Sequence, residues 1–231
     1  MRSFIAILIL SVGFCTVAIG QSFTEQADAF FRAHVKNGVV DYAAINGNPA
    51  KLNALVTAIN KSEPFEGNEE KAFLINAYNI LVIQSVVENY PIEGPLKVSG
   101  FFDKNMHGVR GQKTTLNQLE KEMLYKKFPD ARLHFALVCA AKGCPKLASF
   151  AYKGAELEKQ LEGQTRAAIN EASFVRLGKG SMQISQLFEW YAKDFGGEEK
   201  TANFISKYHA ESKSVPAKFT FYTYDWTLNG K

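Results

Sequence analysis

The sequence predicts an α+β fold: a single domain, mainly helical, built around a buried central helix with a small sheet beside it. Three observations lead there. From Ala72 to Val87, within Asn68–Tyr90, apolar residues fall on every side of a 3.6-residue repeat, and only Asn76, Asn79, Gln84 and Ser85 are plainly polar. That is the mark of a helix surrounded by protein, and the run is too short and too polar for a membrane span. Around it lie several amphipathic segments with recognisable caps. Between them are short runs rich in β-branched and aromatic residues, which read as strands.

At 231 residues, with 46% hydrophobic and 22% charged content, the chain has the size and composition of one generous globular domain. Residues 1–20 stand apart. Arg2, the apolar run Phe4–Leu10 and small residues at Ala18 and Gly20 have the layout of a secretory signal peptide. Cleavage after Gly20 leaves Gln21 as the N-terminus, a globular domain over 21–231 and no transmembrane segment. Bulky Phe14 before Cys15 speaks against a lipid anchor. The expected location is periplasmic or extracellular. Loss of Arg2 lowers the formal charge from +4 to +3, and the basic residues are dispersed, so no nucleic-acid partner is expected.

In chain order, Ser22 caps a helix with Phe23, Ala27, Phe30 and Phe31 on its inner face, stopping near Gly38. Val39–Tyr42 is a short strand candidate. Asn48 and Pro49 open a second helix that buries Leu52, Leu55, Val56 and Ile59. After the loop Ser62–Gly67 comes the central helix, with Asn68 as its cap. Pro91–Lys113 is irregular and glycine-rich, the kind of long segment that often carries function. Thr115 and Gln118 form a capping box for a helix to about Phe128. Arg132–Cys139 reads as a covered strand, with His134 and Cys139 on opposite faces some 16 Å apart at ~3.3 Å per residue. A turn at Ala140–Pro145 and a helix from about Ala155 to Asn170 follow. Phe174–Leu177 and Met182–Ile184 make a hairpin, Ser185 caps a helix ended by Gly196-Gly197, and another helix runs from Glu198 to about His209. Phe219–Tyr224 is the last strand.

Three stretches taken together, Ala72-Phe-Leu-Ile-Asn-Ala-Tyr-Asn79, His134-Phe-Ala-Leu-Val-Cys139 with Gly143-Cys-Pro145, and Tyr224-Asp-Trp-Thr-Leu-Asn229, are also distinctive in their order. The chain resembles, from about Val40 to Asn229, the family catalogued as domain of unknown function 547. The resemblance implies one folded unit and brings no settled activity.

Two cysteines remain after residue 20, and in an oxidising compartment Cys139 and Cys144 are most simply a disulfide. Closing so short a loop is worth ~2 kcal/mol on the chain-entropy model. The alternatives for Cys139 are an inert buried thiol and a nucleophile at the end of a rigid element, with Lys142 favouring the thiolate. C-x4-C is not the thioredoxin-type spacing. A nucleophile needs a base. On a continuous strand His134 points away, so His107 is the catalytic partner expected for Cys139, with Asp41, Asp225 or Asn79 to orient it. The histidines are scattered and no metal or other cofactor is expected.

Asn76 and Asn79 share one helix face. Buried amides must be satisfied, so they either tie neighbouring backbone or, with Tyr78, Arg132 and His134, line a site for a small anion. Asp225-Trp226 suits either a core plug or a binding surface. The leading expectation is an exported binding or structural module of the cell envelope, its partner a small molecule or an envelope protein. The rival is a papain- or transglutaminase-like cysteine hydrolase or acyl transferase using Cys139.

Overall fold

The computed structural model describes residues 21–231; the expected signal peptide, with Cys15, lies outside the described residues. Its elements form a single α+β domain of eight helices and small sheets. At the centre is α4, Gly67–Val87, in which residues 70–83 are all buried. The even distribution of apolar residues around this helix is what lets protein cover every side. Glu66, not Asn68, stands at its N-cap position.

Around α4 pack α1 (Phe23–His34), α2 (Tyr42–Gly47) and α3 (Ala50–Lys61). Ser22 caps α1 as expected, and does so within a capping box: Glu25 N–H donates to Ser22 Oγ and Ser22 N–H to the Glu25 carboxylate. Two corrections concern the next stretch. Only Val39–Val40 (β2) is strand, paired with Val35–Lys36 (β1), because Asp41 turns the chain by capping α2. Asn48 ends α2, so Pro49 rather than Asn48 is the N-cap of α3.

The irregular segment from Pro91 contains a short hairpin, β3 (His107–Val109) with β4 (Gln112–Thr114). The Thr115–Gln118 capping box then starts α5 (Leu116–Gln118), which widens into a π-helical stretch over Leu119–Tyr125. Such wide turns are uncommon and often mark functional sites.

The largest correction concerns Arg132–Cys139, which is no strand. Asp130 accepts from Arg132 N–H and starts a 3-10 turn over Ala131–Phe135; Ala136 still has helical backbone angles, and residues 137–139 that follow belong to no strand. Backbone polar groups here are served by a side chain instead: Asn79 Nδ2 donates to Ala136 O at 2.9 Å, and Val138 N–H donates to Asn79 Oδ1 at 3.0 Å. The apolar run signalled burial, which a covered irregular segment meets as well as a strand does.

The C-terminal third has its own apolar cluster around Phe135, Phe174, Phe188, Phe195 and Ile205. It is built from α6 (Leu157–Ile169), a sheet in the order β5 (Val175–Leu177), β6 (Met182–Ser185) and β7 (Phe219–Tyr222), and the helices α7 (Leu187–Trp190) and α8 (Glu198–Tyr208). The expected hairpin is β5–β6, and β7 joins β6 in parallel. Residues 224–231 return as a strap across the domain, with bridges Ala141↔Leu228 and Val40↔Gly230. Among the described residues no helix is long and apolar enough to cross a membrane.

Candidate functional site

The strap pins two otherwise irregular segments side by side. Lys142 N–H donates to Thr227 O and Gly143 N–H to Asp225 O, both at 2.8 Å, and Asn229 N–H donates to Ala140 O at 2.9 Å. On the other side, Leu228 N–H donates to Glu93 O at 2.8 Å, and a Cβ at Gly94 would run into the Trp226 carbonyl oxygen. Between these segments opens a cleft of about 500 Å³. That size, with mainly apolar walls and a few converging polar groups, is the usual form of a small-molecule site.

Aromatic rings dominate its walls: Phe101 and Phe102 from the irregular segment, Trp190 and Tyr191 at the end of α7, Tyr224 and Trp226 from the strap. The chain has two tryptophans, and both line the cleft. Their rings stack at 5.7 Å with 25° between planes, and Tyr224 packs on each within 5 Å. Trp226 is therefore a wall of the cleft and not a plug of the core, while Asp225 is exposed and accepts from the Thr227 N–H and hydroxyl.

At the inner end lie groups with shifted acidities. Glu120, on the π-helical stretch, is buried and its carboxyl is pushed up by desolvation, although Tyr191 and Tyr78 hydrogen-bond to it. Those phenols are in turn held well above their ordinary range by burial and by the adjacent carboxylate. His134 is stacked between Tyr125 and Tyr191, and its Nε2 lies 2.8 Å from Asp194 Oδ2. Burial lowers His134 to about 4 against the pull of Asp194. Burial wins because the Asp194 side chain is 42% exposed, so water screens its charge. Neutral His134 donating from Nε2 to Asp194 leaves Nδ1 as an acceptor.

Cys139 and Cys144 lie at disulfide-bonding distance on the cleft wall, their Cα atoms 6.3 Å apart. The Tyr224 hydroxyl is 3.1 Å from the Cys139 sulfur and 3.0 Å from that of Cys144. Ala140, between them, is buried with φ +61°, a left-handed conformation that costs an alanine about 1–2 kcal/mol.

Breaking the expected strand thus brings His134 and Cys139 to the same cleft. His107 does not line it; that side chain is buried beneath the β3–β4 hairpin, 3.4 Å from Ser85 Oγ on α4. Asn79 supports the wall from behind. Asn76 does the same for Tyr152, donating to its carbonyl and accepting from its N–H, both at 2.8 Å. Arg132 is engaged by Asp130 and Glu158 and does not line the cleft. Glu120, Asp194, Tyr191 and Trp190 went unnoticed as site residues in the sequence.

Fold and cleft together define an α+β protein with an aromatic cleft that carries buried Glu120. A family profile described as "Protein of unknown function, DUF547" matches residues 62–169, and over that stretch the chain resembles this family. The match takes in α4, the irregular segment, Glu120 and the cysteine turn, and it ends before the strap. No curated protein and no solved structure matches the chain.

Proposed function

We propose that the chain is an exported binding module, periplasmic or extracellular, that holds a small organic molecule in the aromatic cleft. The observation that carries this reading is the convergence of both tryptophans, five phenylalanine and tyrosine rings and the Glu120–Tyr191–His134 cluster on one cavity of about 500 Å³. Export is supported by the layout of residues 1–20 and by the paired cysteines.

Charge narrows the ligand class. The lining includes Asp103 and Glu120 and no lysine or arginine, and aromatic faces attract cations. A neutral or cationic ring compound suits it, and an anion does not. Three probes of nearly equal size test this: benzylamine, benzyl alcohol and benzoate, titrated against tryptophan fluorescence, which reports from the cleft alone. Fragments of this size bind at about millimolar levels. Benzylamine and benzyl alcohol should quench or shift the emission at lower concentration than benzoate. Equal or stronger binding of benzoate refutes the assignment. Intact mass of the exported protein should place its N-terminus at Gln21.

One observation favours a second reading, a cysteine-dependent hydrolase or acyl transferase. His134, hydrogen-bonded to Asp194, lines the same cleft as Cys139, and a base is what a thiol nucleophile needs once its disulfide is reduced. Reduced protein should then hydrolyse p-nitrophenyl acetate faster than its Cys139→Ser and His134→Gln variants. Equal rates in all three remove this reading.

A further inference from the structure

We infer that the Cys139–Cys144 pair is an exchange site for small thiols rather than a staple. The first argument is that the turn does not need a staple. Residues 140–143 are already held by three backbone hydrogen bonds to the strap, and Val138 is held by Asn79. Closing a loop this short also constrains the unfolded chain less than any longer closure would.

The second argument is access. Both cysteines are only half-buried and both line the 500 Å³ cleft, and Cys144 borders two further hollows of about 350 and 290 Å³. Structural disulfides that resist exchange are commonly shielded; exposed ones are the labile class.

The third argument is the asymmetry of the two sulfurs. Cys144 Sγ accepts from the Cys139 backbone N–H at 2.9 Å and from the Tyr224 hydroxyl at 3.0 Å. Cys139 Sγ has only the same Tyr224 hydroxyl, at 3.1 Å. Hydrogen bonds to a thiolate are stronger than those to neutral sulfur, so these two donors favour Cys144 as the sulfur that leaves with the electron pair. Left-handed Ala140 sets the turn so that the Cys139 N–H faces back to Cys144.

The chemistry balances as follows. A thiolate RS⁻ attacks Cys139 Sγ, the Cys139–Cys144 bond breaks, and its electron pair goes to Cys144 as thiolate. A second thiolate attacks the sulfur of the R group in the mixed disulfide, forming RSSR and releasing the Cys139 thiolate. Two thiols lose two electrons and two protons, and the cystine gains them. The substrate class is a thiol small enough for the cleft, and this exchange does not depend on the ligand proposed above.

The test uses the folded full-length protein, first oxidised with diamide, then exposed to 2-mercaptoethanol and quenched with iodoacetamide for peptide mass mapping. The expected product carries mercaptoethanol on Cys139 and carbamidomethyl on Cys144. Tyr224→Phe, which loses one donor to the leaving thiolate, should form it about tenfold more slowly. Three results overturn the inference: a pair that never oxidises, a pair that reacts only after guanidinium unfolds the chain, or an adduct on Cys144. An unchanged rate in Tyr224→Phe overturns the role given to that hydroxyl.

Discussion

Asn76 and Asn79 offer a matched pair of perturbations with different consequences. Both are on α4, no more than 2% exposed, and each makes two hydrogen bonds to backbone groups elsewhere in the chain. Truncating either to alanine leaves one buried carbonyl and one buried N–H without partners, at about 1–3 kcal/mol per group. Either variant should therefore lose about 4 kcal/mol. For a chain of this size 1 kcal/mol moves the Tm by about 2–4 °C, so melting should fall by about 12 °C in both.

The cleft separates them. Asn79 holds Ala136 and Val138, which lie between His134 and Cys139 on the cleft wall. Asn76 holds Tyr152, which does not line the cleft. Urea and thermal melts give the stability loss. Tryptophan emission, read well below the melting range, gives the state of the cleft. Asn79→Ala should shift the emission and weaken the response to benzylamine, while Asn76→Ala should melt early with an unchanged cleft. A loss under about 1 kcal/mol in Asn79→Ala, or equal emission shifts in both variants, refutes the reasoning.

His134 should make the fold acid-sensitive. Its folded pKa lies below the ordinary value of 6.5, at about 4, so the stability from its neutral form is present above pH 6.5 and is lost as pH falls toward 4. That window is worth about 3 kcal/mol at 1.36 kcal/mol per unit, and His134→Gln should flatten the fall in urea midpoint between pH 7 and 4.5. Glu120 works in the opposite direction: its raised pKa gives stability at acid pH that is lost as pH rises through the folded value. Glu120→Gln should therefore gain on the wild type at pH 8 compared with pH 4.5; a parallel pair of pH curves contradicts this. Gly143→Ala puts a Cβ 2.9 Å from the ring of buried Tyr224. Overpacking of this kind costs about 1–3 kcal/mol, and the displaced hydroxyl should slow thiol exchange as Tyr224→Phe does.

Local signals in the sequence translated faithfully into structure. The two capping boxes, Ser22 with Glu25 and Thr115 with Gln118, are made within four residues, so nothing distant could override them. The all-round apolar α4 was legible for a similar reason, since its composition leaves no face for water. Arg132–Cys139 misled because its hydrogen-bond partner is a side chain more than fifty residues away, which no local pattern reveals. A strand over that stretch separates His134 from Cys139, which is why the sequence points to His107 instead. Glu120 did leave a trace: it sits four residues after Leu116 and four before Leu124, on the helix face that is buried. Trp190, Tyr191 and Asp194 left none, because only the packing of the C-terminal cluster against the first core brings the two rings to the cleft and Asp194 to His134.

The three distinctive stretches, scattered across the chain, turn out to share one physical task. Asn79 of the first satisfies the backbone of the second, and the backbone of the third holds the cysteine turn that ends the second. Burial of apolar surface is non-directional and would tolerate a shifted wall, whereas these hydrogen bonds fix its register. Each stretch also supplies a ring to the cavity, Tyr78 from the first, His134 from the second, and Tyr224 and Trp226 from the third, whose backbone does the clamping. Position of the cysteines and shape of the aromatic wall are therefore coupled through one short segment. A ligand pressing on Trp226 and a thiol reacting at Cys139 act on the same strap, so occupancy of the cleft should alter the rate of exchange and exchange should alter occupancy.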